Sequence, residues 1–181
     1  MLSAASIKDH IKSGAVTWDG ELRGDSLLLK LGSPIQPLVD PGAVVDLADQ
    51  TSIDTLYGPR ITDWSTYDLA PGQMVLAAAS EPVSLGPDVT GLIGGLSHLA
   101  RVGLAVHVTS PFVLPGWSGH LTLELVNECP ATLRLHHGMP LARLVLQLRG
   151  GGHAAATHPF YGRPTDLQSR YADELGDPNK R

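Results

Sequence analysis

Cysteine is nearly absent from this 181-residue chain, which has one, Cys129. An internal disulfide is therefore excluded, as is a cysteine-based zinc cluster within one chain. Aromatic residues are also scarce, at 5%, so a core has to be assembled from Leu, Val, Ile and Ala. Basic residues number 13 against 18 acidic ones, leaving a formal net charge of −5. That balance argues against a protein that coats DNA or RNA, which needs a basic face to displace counterions. It leaves room for a small basic pocket serving one nucleotide. No apolar run is long enough to span a bilayer as a helix. The opening segment MLSAASIKDHIKSG lacks the apolar stretch of a signal peptide, so the cytoplasm is the expected address.

What is abundant is turn chemistry. The chain has 20 Gly and 14 Pro, which favours short strands over a helical bundle. Ile7 and Ile11 stand at i, i+4 before Ser13-Gly14, predicting a short helix over 6–12. Strands are expected at 25–31, after the turn at Pro41-Gly42, at 74–79, near 104–108 and at 120–126. Two further runs, 131–135 and 141–148, continue the rhythm. The stretch 48–67 reads as a long connection with a strand near Tyr57. Ser97–Val102 reads as one or two helical turns capped by Gly103. Strands recurring at such intervals indicate an all-β sandwich or barrel. We expect one β domain over 1–150 and a polar, flexible arm over 151–181.

Two segments carry candidate chemistry. In the strand at 120–126, His120, Thr122 and Glu124 alternate with Leu121, Leu123 and Leu125, so one face is polar and the other apolar. Glu124, mid-strand, is the best acid/base candidate. Taken alone, a solvated strand carboxylate is the commoner state. The segment Gly94-Gly95-Leu96-Ser97-His98-Leu99-Ala100-Arg101 offers backbone N–H groups, a hydroxyl and a guanidinium that can hold phosphate oxygens. It is neither a Walker motif nor GxGxxG, and an ordinary loop with a structural Arg has the same appearance. The histidines show no His-Glu-x-x-His and no His-x-Glu paired with Pro-Cys-x-x-Cys, so no protein-bound zinc is expected. A Gly-x-Ser-x-Gly elbow is missing as well.

Read together, LAPGQMVLAAASEPVSLGPDVTGLIGGLSHLARVGLAVHVTSPFVLPGWSGHLTLELVN and LRLHHGMPLARLVLQL resemble the dCTP deaminases, relatives of trimeric dUTPases. The likeness runs from about residue 69 onward, continues into SRYADELGDPNKR, and extends to SIKDHIKSG and DSLLLKLG near the start. The combination SxLARxGL, HVT and PGWSGHLTLEL at these spacings is specific. The resemblance implies a dUTPase-like β-barrel or jelly roll, a homotrimer with sites at subunit contacts, and zinc-free deamination of dCTP to dUTP. It implies Glu124 as the catalytic carboxylate. Ser97, His98, Ala100, Arg101, Thr109, Ser110, Thr122 and Arg143 would bind substrate, with Arg170 and Tyr171 of the arm closing over it. Magnesium would accompany the nucleotide phosphates. No DNA, RNA or membrane partner is implied.

Several positions depart from the family pattern. Leu96 stands in place of a basic residue, and Leu114 in place of an aspartate at the sugar 3′-hydroxyl that in dUTPase relatives activates water. Arg143 and Glu174 stand where glutamines are frequent, Leu28 replaces an aspartate, and Pro111 alters the loop that positions the water. Three readings follow. The first is a cytosine-nucleotide deaminase acting through Glu124. The second is a dUTPase-like pyrophosphatase, which Leu114 opposes. The third is a catalytically diverged nucleotide-binding homotrimer, since a fold alone does not guarantee its usual activity.

Overall fold

The computed structural model describes residues 1–150 and 167–176. The rest of the expected arm, 151–166 and 177–181, lies outside the described residues. Helix α1 (Ala4–Lys12) starts where the Ser3 hydroxyl accepts from the Ser6 N–H, and it buries Ile7 completely. Asp25 ties its first turn down by accepting from the Ala4 N–H at 2.7 Å. Strands β1 (Val16–Thr17) and β2 (Leu27–Pro37) follow, then helix α2 (Gln50–Asp54). Strands β3 (Thr66–Leu69), β4 (Met74–Ala79), β5 (Val83–Leu85) and β6 (Val89–Gly95) lead to the single turn α3 (Ser97–Ala100). Next come β7 (Leu104–Ala105), β8 (Phe112–Val113), β9 (Ser118–Gly119), β10 (Thr122–Asn127), β11 (Leu133–His136) and β12 (Pro140–Leu148), and finally α4 (Tyr171–Leu175).

The main layer is a curled seven-stranded antiparallel sheet in the order β7-β10-β4-β2-β12-β6-β8, with a three-stranded sheet β1-β5-β9 and the pair β11-β3 beside it. This is the mainly β fold that the sequence led us to expect. The long strand β2 sits at the centre. Its first residues pair with β12 and its last with β4, with a break in register between Leu31 and Ile35. Gly32 stands at this break because a Cβ there would meet the Ser80 backbone at 2.6 Å. The inward faces of the sheet supply the core: Leu27, Leu29, Leu31, Val75, Ala77, Leu123, Leu125, Leu144 and Leu146 are fully buried. Each fully buried leucine contributes about 1.5–3 kcal/mol relative to exposure.

One expected strand is missing. After Pro41-Gly42 the chain stays irregular as far as Ala48, and Val44 and Leu47 are exposed at 95% and 59%. No neighbouring strand offers a ladder there. Asp40 and Asp46 instead accept from the Gly42 and Ala48 amides two residues on, the side-chain turns that compete with extended structure. The connection at 48–67 contains α2, isolated bridges at Tyr57 and Ile61, and from Thr66 the start of β3. The expected strand at 104–108 shortens to two residues. Among the described residues no helix is long and apolar enough to cross a membrane.

A buried polar group anchors the end of β10. Asn127 is fully buried. Its amide donates to the Leu69 and Ala131 carbonyls, each at 2.8 Å, and its Oδ1 accepts from the Cys129 N–H at 2.8 Å. Its own N–H and C=O pair with Gln73 and Gly72. The bidentate contact of Arg134 with Asp68 adds a surface tie between β11 and β3, and holds the Asp68 carboxyl below its usual range. Each buried group left unpaired costs about 1–3 kcal/mol. Asn127→Leu should therefore lower the unfolding free energy by on the order of 3 kcal/mol, measured by urea denaturation. An unchanged midpoint and slope would remove Asn127 as the anchor.

Candidate functional site

The alternation in β10 does what a period of two requires. Leu121, Leu123 and Leu125 enter the core, while Thr122, Glu124 and Val126 are half-buried on the other face. The ladder sets Glu124 opposite Leu76, and Leu76 opposite Gln36. A row of Gln36, Leu76 and Glu124 thus crosses the outer face of three strands. Gln36 is buried and donates to the Gly58 carbonyl at 3.0 Å. The Glu124 Oε2 accepts from the Val108 N–H at 2.7 Å. That bond fixes the carboxylate against the loop after β7 and leaves its other oxygen available for proton transfer.

Glu124 opens into a cleft of about 310 Å³ bordered by Ser110, Phe112, Leu114, Trp117 and Thr122. Thr109 is the exposed neighbour of Ser110. Leu114, 47% exposed, forms part of the wall. Where a carboxylate would hold a hydroxyl or a water, this wall offers methyl groups.

A second cleft, of about 320 Å³, gathers Arg23, Gly94, Gly95, Ser97, His98 and Arg143. Arg143 stands opposite Leu28 on β2 and opposite Gly94 on β6. Consecutive residues of β6 divide between the two clefts, Ile93 lining the first and Gly94 the second. Ala100 ends α3 and Arg101 caps it, both exposed. The chain therefore brings Glu124, Thr122 and Ser110 together in one place, and Ser97, His98 and Arg143 in another. Sequence reading missed Arg23. It lies in a tight loop beside Gly24, which has φ +59°, and only the pairing of β2 with β12 reveals its nearness to Arg143.

Of the arm, residues 167–176 dock on the outer face. Leu167 is buried against Leu76 and Ala78. The Ser169 N–H donates to the Tyr57 hydroxyl at 2.8 Å, and the Gln50 amide donates to the Ser169 carbonyl at 2.8 Å. Arg170 lies 3.8 Å from Asp173, and Tyr171 is half-exposed at the start of α4. Leu76 is the residue paired with Glu124, so the docked segment sits beside the carboxylate's row. Among the described residues, no three His, Cys, Asp or Glu side chains gather as metal ligands.

A family model described as dCTP deaminase-like matches residues 1–148. A dUMP-forming dCTP deaminase from Acidothermus cellulolyticus is 32% identical over 187 residues, spanning 97% of this chain and 92% of that one. A protein of the same description from Methanopyrus kandleri is 36% identical over 128 residues, spanning 66% of this chain and 63% of its own. Among solved structures, a 2′-deoxycytidine 5′-triphosphate deaminase from Agrobacterium tumefaciens gives a TM-score of 0.62 at 18% identity. The match covers 81% of this chain and 48% of that one. This last likeness is one of fold.

The seat of Leu167 can be tested directly. Leu167→Asp places a carboxylate against Leu76 and Ala78 and should release the segment. We expect faster proteolytic clipping after residue 166, with little change in the unfolding midpoint of the β domain. Equal clipping rates in variant and parent would show that Leu167 does not hold the segment.

Proposed function

The chain belongs to the dCTP deaminase-like family, and we propose that it is a hydrolytic deaminase of a cytosine nucleotide, with dCTP the leading substrate. The observation that carries this reading is the half-buried Glu124, held by the Val108 N–H at 2.7 Å inside a cleft of nucleobase size. The pinned carboxylate is oriented before substrate arrives, as general-base catalysis needs. Its free oxygen takes a proton from water as the water oxygen bonds to C4 of the ring. The protons gained and redistributed then go to the exocyclic amine, the C4–N bond breaks, and ammonia leaves. The balance is nucleotide plus water to the uracil nucleotide plus ammonia. Ser110 and Thr122 border the same space and supply hydroxyls to the ring or the water. Magnesium belongs here to the substrate, entering with the phosphates.

The second part of the proposal is a homotrimer acting in the cytoplasm. Glu124 and the Ser97–Arg143 group line separate clefts, so one nucleotide meets both where two copies abut. Closed rotational symmetry completes every site at once. The exposed apolar residues Val102, Val108, Phe112 and Leu114 supply apolar surface for such a contact.

The curated relatives carry the description dUMP-forming, which joins deamination to loss of diphosphate. Leu114 cannot activate a water for that second step, so we infer that this chain stops at the uracil nucleoside triphosphate.

Ammonia release should be measured with dCTP, CTP, dCMP and CMP. Wild-type protein should release ammonia, and Glu124→Gln should lose about 10²- to 10⁴-fold in kcat. No release from any cytosine nucleotide by pure wild type sinks the deaminase reading. With dCTP, the product should retain its three phosphates on chromatography; pyrophosphate appearing with it would refute the inference from Leu114.

A further inference from the structure

Gln36 is a buried polar side chain that the chemistry at Glu124 does not use. It ends the row Gln36, Leu76, Glu124 on the outer face of the sheet. Its amide donates to the Gly58 carbonyl at 3.0 Å, and the Gly58 N–H donates to the Pro37 carbonyl at 2.9 Å. A Cβ at Gly58 would meet the Val39 and Pro37 side chains at 3.0 and 3.2 Å, so the chain passes close to the end of β2 there. Tyr57 is bridged to Leu38, and Leu38, Tyr57 and Met74 pack against the cluster of Leu76, Ala78 and Leu167. The end of the connection is thus clamped to the end of β2.

What this clamped stretch holds is the C-terminal segment. The Tyr57 hydroxyl accepts from the Ser169 N–H at 2.8 Å. Gln50, the first residue of α2, donates to the Ser169 carbonyl and to the Asp54 carboxylate, each at 2.8 Å. Side chains 112 and 119 residues earlier therefore take both backbone groups of Ser169, which lies in no strand ladder. Two residues before it, Leu167 is buried against Leu76 and Ala78, the partners of Glu124 and Thr122 in the ladder of β4 with β10. Glu124 and Thr122 border the first cleft, so the segment is seated one strand away from the polar face of that cleft. We propose that Tyr57 and Gln50 are positioning residues, braced by Gln36 through Gly58. They seat residues 167–170 beside the Glu124 face, and the seated segment adds to nucleotide affinity while the chemistry stays with Glu124. The proposal rests on the deaminase reading for its substrate. Neither Tyr57 nor Gln50 lines the Glu124 cleft, so each acts through the segment it holds.

The test compares the full-length parent with Tyr57→Phe, Gln50→Leu and the double variant, measuring ammonia release from dCTP. Phenylalanine keeps the ring packed beside Leu38 and Met74 and removes the hydroxyl. Each single variant should raise KM by about two- to tenfold, the scale of one near-surface hydrogen bond, and leave kcat within about twofold. The double variant should raise KM further. Clipping after residue 166 should quicken in the same order, while the urea midpoint stays near that of the parent. Val44→Ser, in the same connection but 95% exposed, should keep the parent KM. An unchanged KM in the double variant overturns the proposal. A fall in kcat larger than the rise in KM also overturns it, because that would place the two residues in the chemistry or the fold rather than in affinity. Where the parent releases no ammonia, dCTP affinity by calorimetry takes the place of KM. Weaker binding by the variants then upholds the bracket and defeats the deaminase reading alone, whereas equal binding overturns the bracket as well. A parent that neither turns over nor binds dCTP overturns both.

Discussion

The arrangement around Glu124 hangs on the register of β10 against β4. In the observed pairing, Glu124 lies opposite Leu76 and its neighbours Leu123 and Leu125 enter the core. A slip of one residue would exchange the two faces. It would drive a carboxylate into a leucine core and expose two leucines, and a buried unpaired charge is a severe penalty. Hydrophobic patterning alone thus favours the observed register strongly. Asn127 adds an independent lock at the strand's end, because its amide and carbonyl are all used by groups that a slipped strand could not reach.

From that register the site extends sideways rather than along the chain. Gln36, Leu76 and Glu124 come from three strands far apart in sequence, and Leu167 arrives from the C-terminal segment to cover the same face. The chemistry is divided as well. One cleft holds the carboxylate, with apolar walls at Phe112, Leu114 and Trp117, while the other holds arginines and no acid. Within one chain the carboxylate and the guanidiniums thus border different spaces.

Part of this was legible in the residues and part was not. The β10 alternation, β4, β12 and the helix at the N-terminus were readable because local periodicity and burial agree there. The spacing of SxLARxGL and PGWSG pointed to the family through residues 1–148 that its model matches. The strand expected after Pro41-Gly42 failed because β propensity without a pairing partner is not enough, and aspartate side chains closed turns instead. Gly91, Gly94 and Gly95 lie in β6, where a Cβ at Gly91 would strike the Leu144 side chain at 2.6 Å. Arg23 and the split between two clefts had no local signature. Both follow from strand order, which residues adjacent in sequence do not reveal.

The scarcity of aromatics returns here as an optical property. Of the three tryptophans, Trp18 is buried in the core and Trp64 packs edge-on against His137, with centroids 5.4 Å apart. Trp117 alone among them borders the Glu124 cleft. The indole spectrum of the whole molecule therefore carries one emitter placed beside Glu124 and two placed in the scaffold. Polarity changes at the cleft and loosening of the scaffold register on different fluorophores, so the chain comes with a built-in means of telling events at its site from events in its frame.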